Sequence, residues 1–255
     1  MADWDPDQYN RFAAERREPF DVLLSLLEPV PGGRAGDLGC GPGPLTVDLH
    51  RHLGAAETVG VDDSPAMLAD AEACAGDGVS FEAGDLAAWD GAGRTWDVVA
   101  ASASLQWVPD HAGVLRRWTS ALAPGGQLAV QVPANADHVS HQVIHEVLAD
   151  FGTSIPDPVA RNVLKPEQYA ELLDELGYVR QHVRLQVFGH HLRDAHDVVE
   201  WVKGTSLLRV RKVVDAETYD AFEAEYRSRL VERLGDRSPY FYGFKRILFT
   251  GRRPT

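Results

Sequence analysis

The chain has 255 residues, 44% of them apolar, with a formal net charge of −13. That size supports one full α/β core with a modest extra layer. No apolar run is long enough to span a membrane, and the acidic balance argues against nucleic acid or an anionic membrane as partner, since both need basic surface. Two cysteines, Cys40 and Cys74, suit a reducing cytoplasm. The opening Met1-Ala2-Asp3-Trp4-Asp5 lacks the basic region and apolar core of a secretion signal.

In chain order, residues 8–28 read as an amphipathic helix with Phe12, Phe20, Leu23, Leu24 and Leu27 as its apolar set. Strands are expected at 34–38, 57–61, 79–83, 97–101 and 127–132. Helices near 44–53, 65–75 and 112–121 alternate with them, which predicts a parallel sheet. After residue 133 the alternation loosens. A helix is expected at 139–150, an irregular crossing over the proline-rich Ile155–Pro166, a helix near 167–176 and a strand near 179–188. Residues 195–235 read as mostly helical, and Phe244–Gly251 closes with a strand. The expected organisation is a single domain: an N-terminal helical cap over 1–30, a cofactor core over 34–133, a helical lid within 134–240 and a final strand over 241–255. Helical material inserted before the last strand belongs above the carboxyl ends of the sheet, where ligands bind in open α/β folds.

The densest chemical signal is Asp37-Leu38-Gly39-Cys40-Gly41-Pro42-Gly43, followed after one helix by Thr58-Val59-Gly60-Val61-Asp62. Gly39 and Gly41 permit positive φ and close approach of a ligand to the main chain. Gly43 opens a helix whose first residue, Pro44, has no N–H to leave unpaired. Pro44 occupies the place of the third glycine of a dinucleotide fingerprint, and no Gly-Lys-Ser/Thr follows, so NAD, FAD and nucleoside triphosphates fit poorly. Asp62, 25 positions after Asp37, ends an apolar strand where a carboxylate can accept both ribose hydroxyls. Ser64-Pro65 starts the next helix as N-cap and first residue. Met67 and Leu68 can wall an adenine. Gly84-Asp85-Leu86 ends the third strand with an acid suited to an exocyclic amine.

With these segments the chain resembles the class I S-adenosylmethionine-dependent methyltransferases, and Ala123-Pro124-Gly125-Gly126 resembles the turn before their fifth strand. The resemblance implies a Rossmann-like, seven-stranded, mostly parallel sheet with helices on both faces and a helical lid. It implies S-adenosylmethionine (SAM) as cofactor and S-adenosylhomocysteine as product. It places the cofactor against Asp37, Gly39, Cys40, Gly41, Asp62, Asp63, Met67, Asp85, Leu86 and Ser102. Cys40 reads as a small packing residue, since no histidine lies near it in sequence. His138, His141 and His145, three and four apart, can share a helix face, but no cysteine–histidine cluster has structural zinc spacing, and no metal is expected.

On the acceptor side, Ser104–His111 follows the fourth strand. Trp107 can pack and line the pocket, two compatible roles, Asp110 can cap the next helix, and His111 can donate to an acceptor oxygen. The pair Lys245-Arg246 interrupts an apolar strand and needs an internal acid or an anionic ligand. Together with Trp4–Arg16, Ser64–Leu68, Gln131–Asn135, Trp201-Val202 and Arg246–Phe249, these residues resemble the trans-aconitate 2-methyltransferases along nearly the whole chain. That resemblance implies a monomethyl ester formed on a small polycarboxylate, held by Tyr9, Phe12, Arg16, Trp107, His111, Arg209 and Arg246. The chain departs from some members, which carry Gly-Leu-Arg-Pro where Ser206-Leu207-Leu208-Arg209 stands and Arg where Glu18 stands; Arg209 or Arg211 can stand in for the first.

A carboxylate acceptor is ionised at neutral pH and needs no general base, only alignment of oxygen, methyl and sulfur. His111 and Trp107 are therefore expected to position rather than to catalyse. The alternative acceptor is a secondary-metabolite hydroxyl or amine; an alcohol or phenol would require a base, with His111 the candidate, and a SAM-binding protein without catalysis is the third reading. The expected partners are a small anionic substrate, no nucleic acid and no membrane, with the protein a cytoplasmic monomer or weak dimer.

Overall fold

A computed structural model describes residues 13–255. Seven strands form one sheet: β1 (Arg34–Leu38), β2 (Glu57–Asp62), β3 (Val79–Ala83), β4 (Trp96–Ser102), β5 (Leu122–Pro133), β6 (Val179–Leu192) and β7 (Tyr240–Arg252), ordered β3-β2-β1-β4-β5-β7-β6. The pairs β1–β2, β2–β3, β1–β4 and β4–β5 are parallel, and β7 runs antiparallel to β5. The chain order reverses direction across the sheet between β1 and β4, and in open α/β sheets ligands bind at such a switch point.

By the density of their internal contacts the residues fall into two compact units. One comprises Pro19–Pro133, Asn162–Gln186 and Arg246–Thr255; the other comprises Ala134–Arg161 and Val187–Lys245, with the described residues up to Glu18. In the first unit β4 is buried on both faces from Val98 to Ala101, as a central parallel strand must be. The helix α1 (Ala13–Leu24) and the turn after it bury Phe20, Leu23, Leu24 and Leu27, so the described part of the expected apolar stripe is the buried one. Phe12 lies outside the described residues.

α2 (Pro44–Leu53) starts as read, with Gly43 as a left-handed N-cap at φ 95° and Pro44 first. α3 (Pro65–Ala71) is capped by Ser64, whose Oγ accepts from the Met67 amide; a 3₁₀ turn (Glu72–Cys74) replaces the end of the expected longer helix. α4 (His111–Ala121) is capped by Asp110, whose carboxylate accepts from the Gly113 amide.

The second unit packs α5 (Val139–Asp150) with the long α10 (Ala216–Leu234). Val143, Ile144 and Val147 are fully buried on the first helix, and Phe222, Tyr226 and Leu230 on the second. The Tyr226 hydroxyl donates to Ser140 O at 3.0 Å, which satisfies the one polar atom of that aromatic side chain.

Four boundaries differ from expectation. β5 begins at Leu122 rather than 127, because Leu122 pairs with Trp96 before a bulge restores register at Val98. β6 runs on to Leu192, and β7 starts at Tyr240. The crossing Ile155–Pro166 is not wholly irregular: Asp157 caps a short helix, α6 (Pro158–Asn162), by accepting from the Val159 amide at 2.9 Å. The remaining helices are α7 (Pro166–Glu175), α8 (His196–Lys203) and α9 (Ser206–Arg211).

Candidate active site

The glycine turn leaves β1 with three left-handed glycines: Gly39 at φ 80°, Gly41 at φ 56° and Gly43 at φ 95°. The amides of Gly39 and Cys40 both donate to Val61 O, so the turn hangs from the end of β2. A Cβ at Gly39 would overlap the Ser104 side chain, whereas one at Gly41 would meet nothing within 4 Å. The first glycine is required by packing. The space beside the second is open.

Asp62 secures this arrangement. Its Oδ2 accepts from the Gly41 amide at 3.0 Å and its Oδ1 from the Ser64 amide at 2.9 Å. Each carboxylate oxygen has a second lone pair, so two hydroxyls can still be accepted. Asp37 lies beneath the turn, 3% exposed, and accepts from Thr46 Oγ1 at 2.6 Å. Burial, joined by the Asp62 charge, raises its pKa to about 6 against the lowering effect of the Thr46 hydrogen bond. Cys40 is buried, and burial, then the charges of Asp37 and Asp62, push its thiol far up, so it stays an unreactive thiol as its packing role requires.

The other cofactor candidates stand at the same carboxyl ends. Asp63 is exposed and Met67 half-buried. Asp85 is exposed and folds back on its own chain, accepting from the Ala87 amide at 2.8 Å. Leu86 is buried, and its carbonyl accepts from Trp118 Nε1. Ser102 Oγ accepts from Gln131 Nε2 at 2.9 Å.

After β4 the chain makes a 3₁₀ turn over Leu105–Trp107. Ser104, at its start, donates to Leu38 O at 2.6 Å, which ties this turn to the glycine turn. Trp107 is 58% exposed, so it does not pack into the core. His111 requires a correction. Its ring is buried, Nε2 donates to Leu105 O at 2.9 Å, and Nδ1 lies 2.7 Å from the Tyr169 hydroxyl. A carbonyl can only accept, so the proton sits on Nε2 and Nδ1 accepts from the tyrosine. Burial holds the His111 pKa below its ordinary value. No nitrogen is left to donate to an acceptor or to take its proton.

Of the expected carboxylate partners, Arg246 is 9% exposed on β7, in register with Pro133 of β5. Its neighbour Lys245 is paired with an internal acid, Asp137. Arg209 is engaged within its own unit. Its Nη1 donates to Pro156 O at 2.7 Å, and its charge helps to hold the buried Asp157 carboxyl well below the usual range, against the effect of burial and together with His141. That makes Arg209 a strut rather than an open anion contact. Tyr9 and Phe12 lie outside the described residues, and the Arg16 side chain is likewise not described.

The three histidines do not form a common face. His138 is the N-cap of α5, its Nδ1 accepting from the Ser140 amide, while His141 and His145 flank Asp157 at 3.7 and 3.8 Å. Among the described residues no group of three His, Cys, Asp or Glu side chains is placed to hold a metal ion, and no helix is long and apolar enough to cross a membrane.

A family model described as a methyltransferase domain matches residues 36–126. Along the whole chain the similarity is more specific. Trans-aconitate 2-methyltransferase of Deinococcus radiodurans is 38% identical over 98% of this chain and 98% of its own. That of Mycobacterium sp. strain KMS is 39% identical over 98% of this chain and 99% of its own. The chain belongs to the trans-aconitate 2-methyltransferase family.

Solved structures share its fold. Phosphoethanolamine N-methyltransferase 2 of Haemonchus contortus superposes with a TM-score of 0.58 at 18% identity, over 93% of this chain and 53% of its own. The YcgJ protein of Bacillus subtilis gives 0.59 at 16% identity, over 94% and 99%.

For a trans-aconitate 2-methyltransferase family member, the residues present fit an adenosine-containing cofactor: an open approach at Gly41, an acidic strand end at Asp62 and a helix N-terminus just beyond. Sequence reasoning missed Thr46, Asn162 and Tyr169. Only Thr46, nine positions after Asp37 on the helix that follows the turn, carried a local signal.

Proposed function

We propose that this enzyme transfers the methyl group of SAM to one carboxylate of trans-aconitate, forming a monomethyl ester and S-adenosylhomocysteine. The observation that carries this reading, beyond the chain-long family likeness, is the engagement of both His111 nitrogens by Leu105 O and Tyr169. An alcohol or phenol acceptor requires a base, and among the described residues His111, the candidate for that role, is occupied. A carboxylate requires none.

In this reading the Gly39–Gly43 turn and Asp62 seat the nucleoside, with Asp85 and Leu86 at the adenine. Trp107 walls the acceptor and excludes water, and Arg246 supplies the guanidinium fork that suits a carboxylate. When bound, SAM supplies the electrophilic methyl. The chain supplies alignment and dryness. The acceptor is a small anion in the cytoplasm, not a nucleic acid.

The test is a panel of small di- and tricarboxylates incubated with SAM and scored for methyl ester by mass. Trans-aconitate should give the highest kcat/KM. Ester formation on none of the acids, with turnover of a phenol or amine instead, would sink the proposal.

A further inference from the structure

The turn that presents Trp107 is held from behind by side chains distant in sequence. Two consecutive carbonyls are engaged. Leu105 O accepts from His111 Nε2 at 2.9 Å, and Gln106 O accepts from Asn162 Nδ2 at 3.0 Å. The histidine is itself held: the Tyr169 hydroxyl donates to its Nδ1 at 2.7 Å and accepts from the Leu164 amide at 3.3 Å. Tyr169 is fully buried and stacked on Phe249, with ring centroids 4.4 Å apart. A further bond, Gln106 Nε2 to Ala103 O at 2.6 Å, closes the turn on itself. The start of the turn is locked at Ser104, which donates to Leu38 O and occupies the space that a Cβ at Gly39 would need. The only large exposed side chain of this otherwise buried turn is the Trp107 indole.

A turn fixed at one end to the cofactor's glycine turn and along its back to α4 and the segment at Asn162 cannot shift without breaking buried hydrogen bonds. Breaking the buried bonds, at Leu105 O, at His111 and at Ser104, leaves an unpaired buried group, at a cost of about 1–3 kcal/mol each. We propose that the Tyr169–His111 pair and Asn162 are positioning residues for methyl transfer, fixing Trp107 against the cofactor turn by holding the Leu105 and Gln106 carbonyls. This rests on the reading of Trp107 as the acceptor wall. The residues act through Trp107 and touch no reactant.

Tyr169→Phe tests the proposal, because it deletes one hydroxyl and keeps the ring stack on Phe249. Asn162→Ala is the second variant, at a half-buried position where loss of fold is not expected. Each should lower kcat roughly tenfold, since small misplacements of reacting groups are costly, while the SAM Kd stays within about twofold of wild type. Amides of Trp107 and Val108 should exchange hydrogen faster in both variants, and exchange in β1 and β2 should not change. In a Trp107→Phe background, Tyr169→Phe should cost little further, because the two act as one unit.

Unchanged kcat, a loss expressed in SAM affinity, or a full additive loss in the Trp107→Phe background would overturn the proposal. Wild-type enzyme inactive on trans-aconitate would overturn the proposed function instead. The exchange measurement needs no acceptor and would still decide whether these residues hold the turn.

Discussion

Gly39 and Gly41 share a left-handed backbone and differ in what surrounds them, so alanine at each should fail in a different way. At Gly39 the new methyl collides with Ser104 in addition to the strain of φ 80°, and Gly39→Ala should lose about 2–4 kcal/mol of stability. At Gly41 there is room, and Gly41→Ala should cost only about 1 kcal/mol, yet its methyl would enter the space proposed for the cofactor. Thermal melts together with SAM titration separate the two: the first variant is unstable, the second folded and unable to bind. Asp37 gives a third contrast. Its folded pKa of about 6 lies above the ordinary 3.8, so its favourable contribution is complete below the unfolded pKa and is lost as pH rises through 6. Asp37→Asn keeps an acceptor for Thr46 and removes the buried charge. At pH 8 it should raise apo-protein stability by about 2–3 kcal/mol, with the gain vanishing toward pH 4. The same change removes a negative charge beneath a cationic cofactor, so the SAM Kd should rise roughly tenfold. A variant equal to wild type in stability at pH 8 would show that Asp37 is not held ionised at a cost.

Elements whose ends carry local chemistry were legible from sequence: α2 from Gly43-Pro44, α3 from Ser64-Pro65, α4 from Asp110, and β4 from its unbroken apolar run. Those set by distant partners were not. β5 begins early because Leu122 finds Trp96, and β6 and β7 lengthen beyond the spans their residue patterns suggest. α6 was hidden because the prolines around it read as a break, although Asp157-Pro158 is itself a cap and first residue. Asp157 also anchors this segment to His141 and Arg209, and those contacts, against burial, hold its carboxyl below the usual range. A depressed carboxylate adds stability that is present above the unfolded pKa near 4 and is lost as pH falls below it. Asp157→Ala removes a cap and leaves Arg209 without its acid; at neutral pH it should cost about 1–2 kcal/mol once solvent screening is allowed for. Urea unfolding at pH 7 and at pH 3.5 measures this: the gap between variant and wild type should narrow at the lower pH, and an equal gap at both would remove the ionic part of the account.

Across the whole molecule, the cofactor side could be read from the chain because its parts lie within one strand–helix–strand stretch, where spacing and geometry coincide. The acceptor side could not, because Ser104 meets Leu38, Asn162 meets Gln106 and Tyr169 meets His111 only after folding, and no local pattern marks such pairs. Charge operates at this largest scale. The protein carries −13 formally and its proposed acceptor is a trianion at neutral pH. At low ionic strength the mean field of the molecule should repel that acceptor before any local arginine can attract it. The Debye length shortens from roughly 20–30 Å near 0.01–0.02 M salt to about 8 Å at 0.15 M. The long-range repulsion is then screened, while a buried contact such as the one proposed for Arg246 is screened much less. Raising salt over that range should therefore increase kcat/KM for trans-aconitate, mainly through KM and by roughly two- to threefold, and should leave kcat unchanged. A fall in kcat/KM with salt would mean that a cationic funnel at the site outweighs the net charge, and would move the arginines of the site from local contacts to agents of capture.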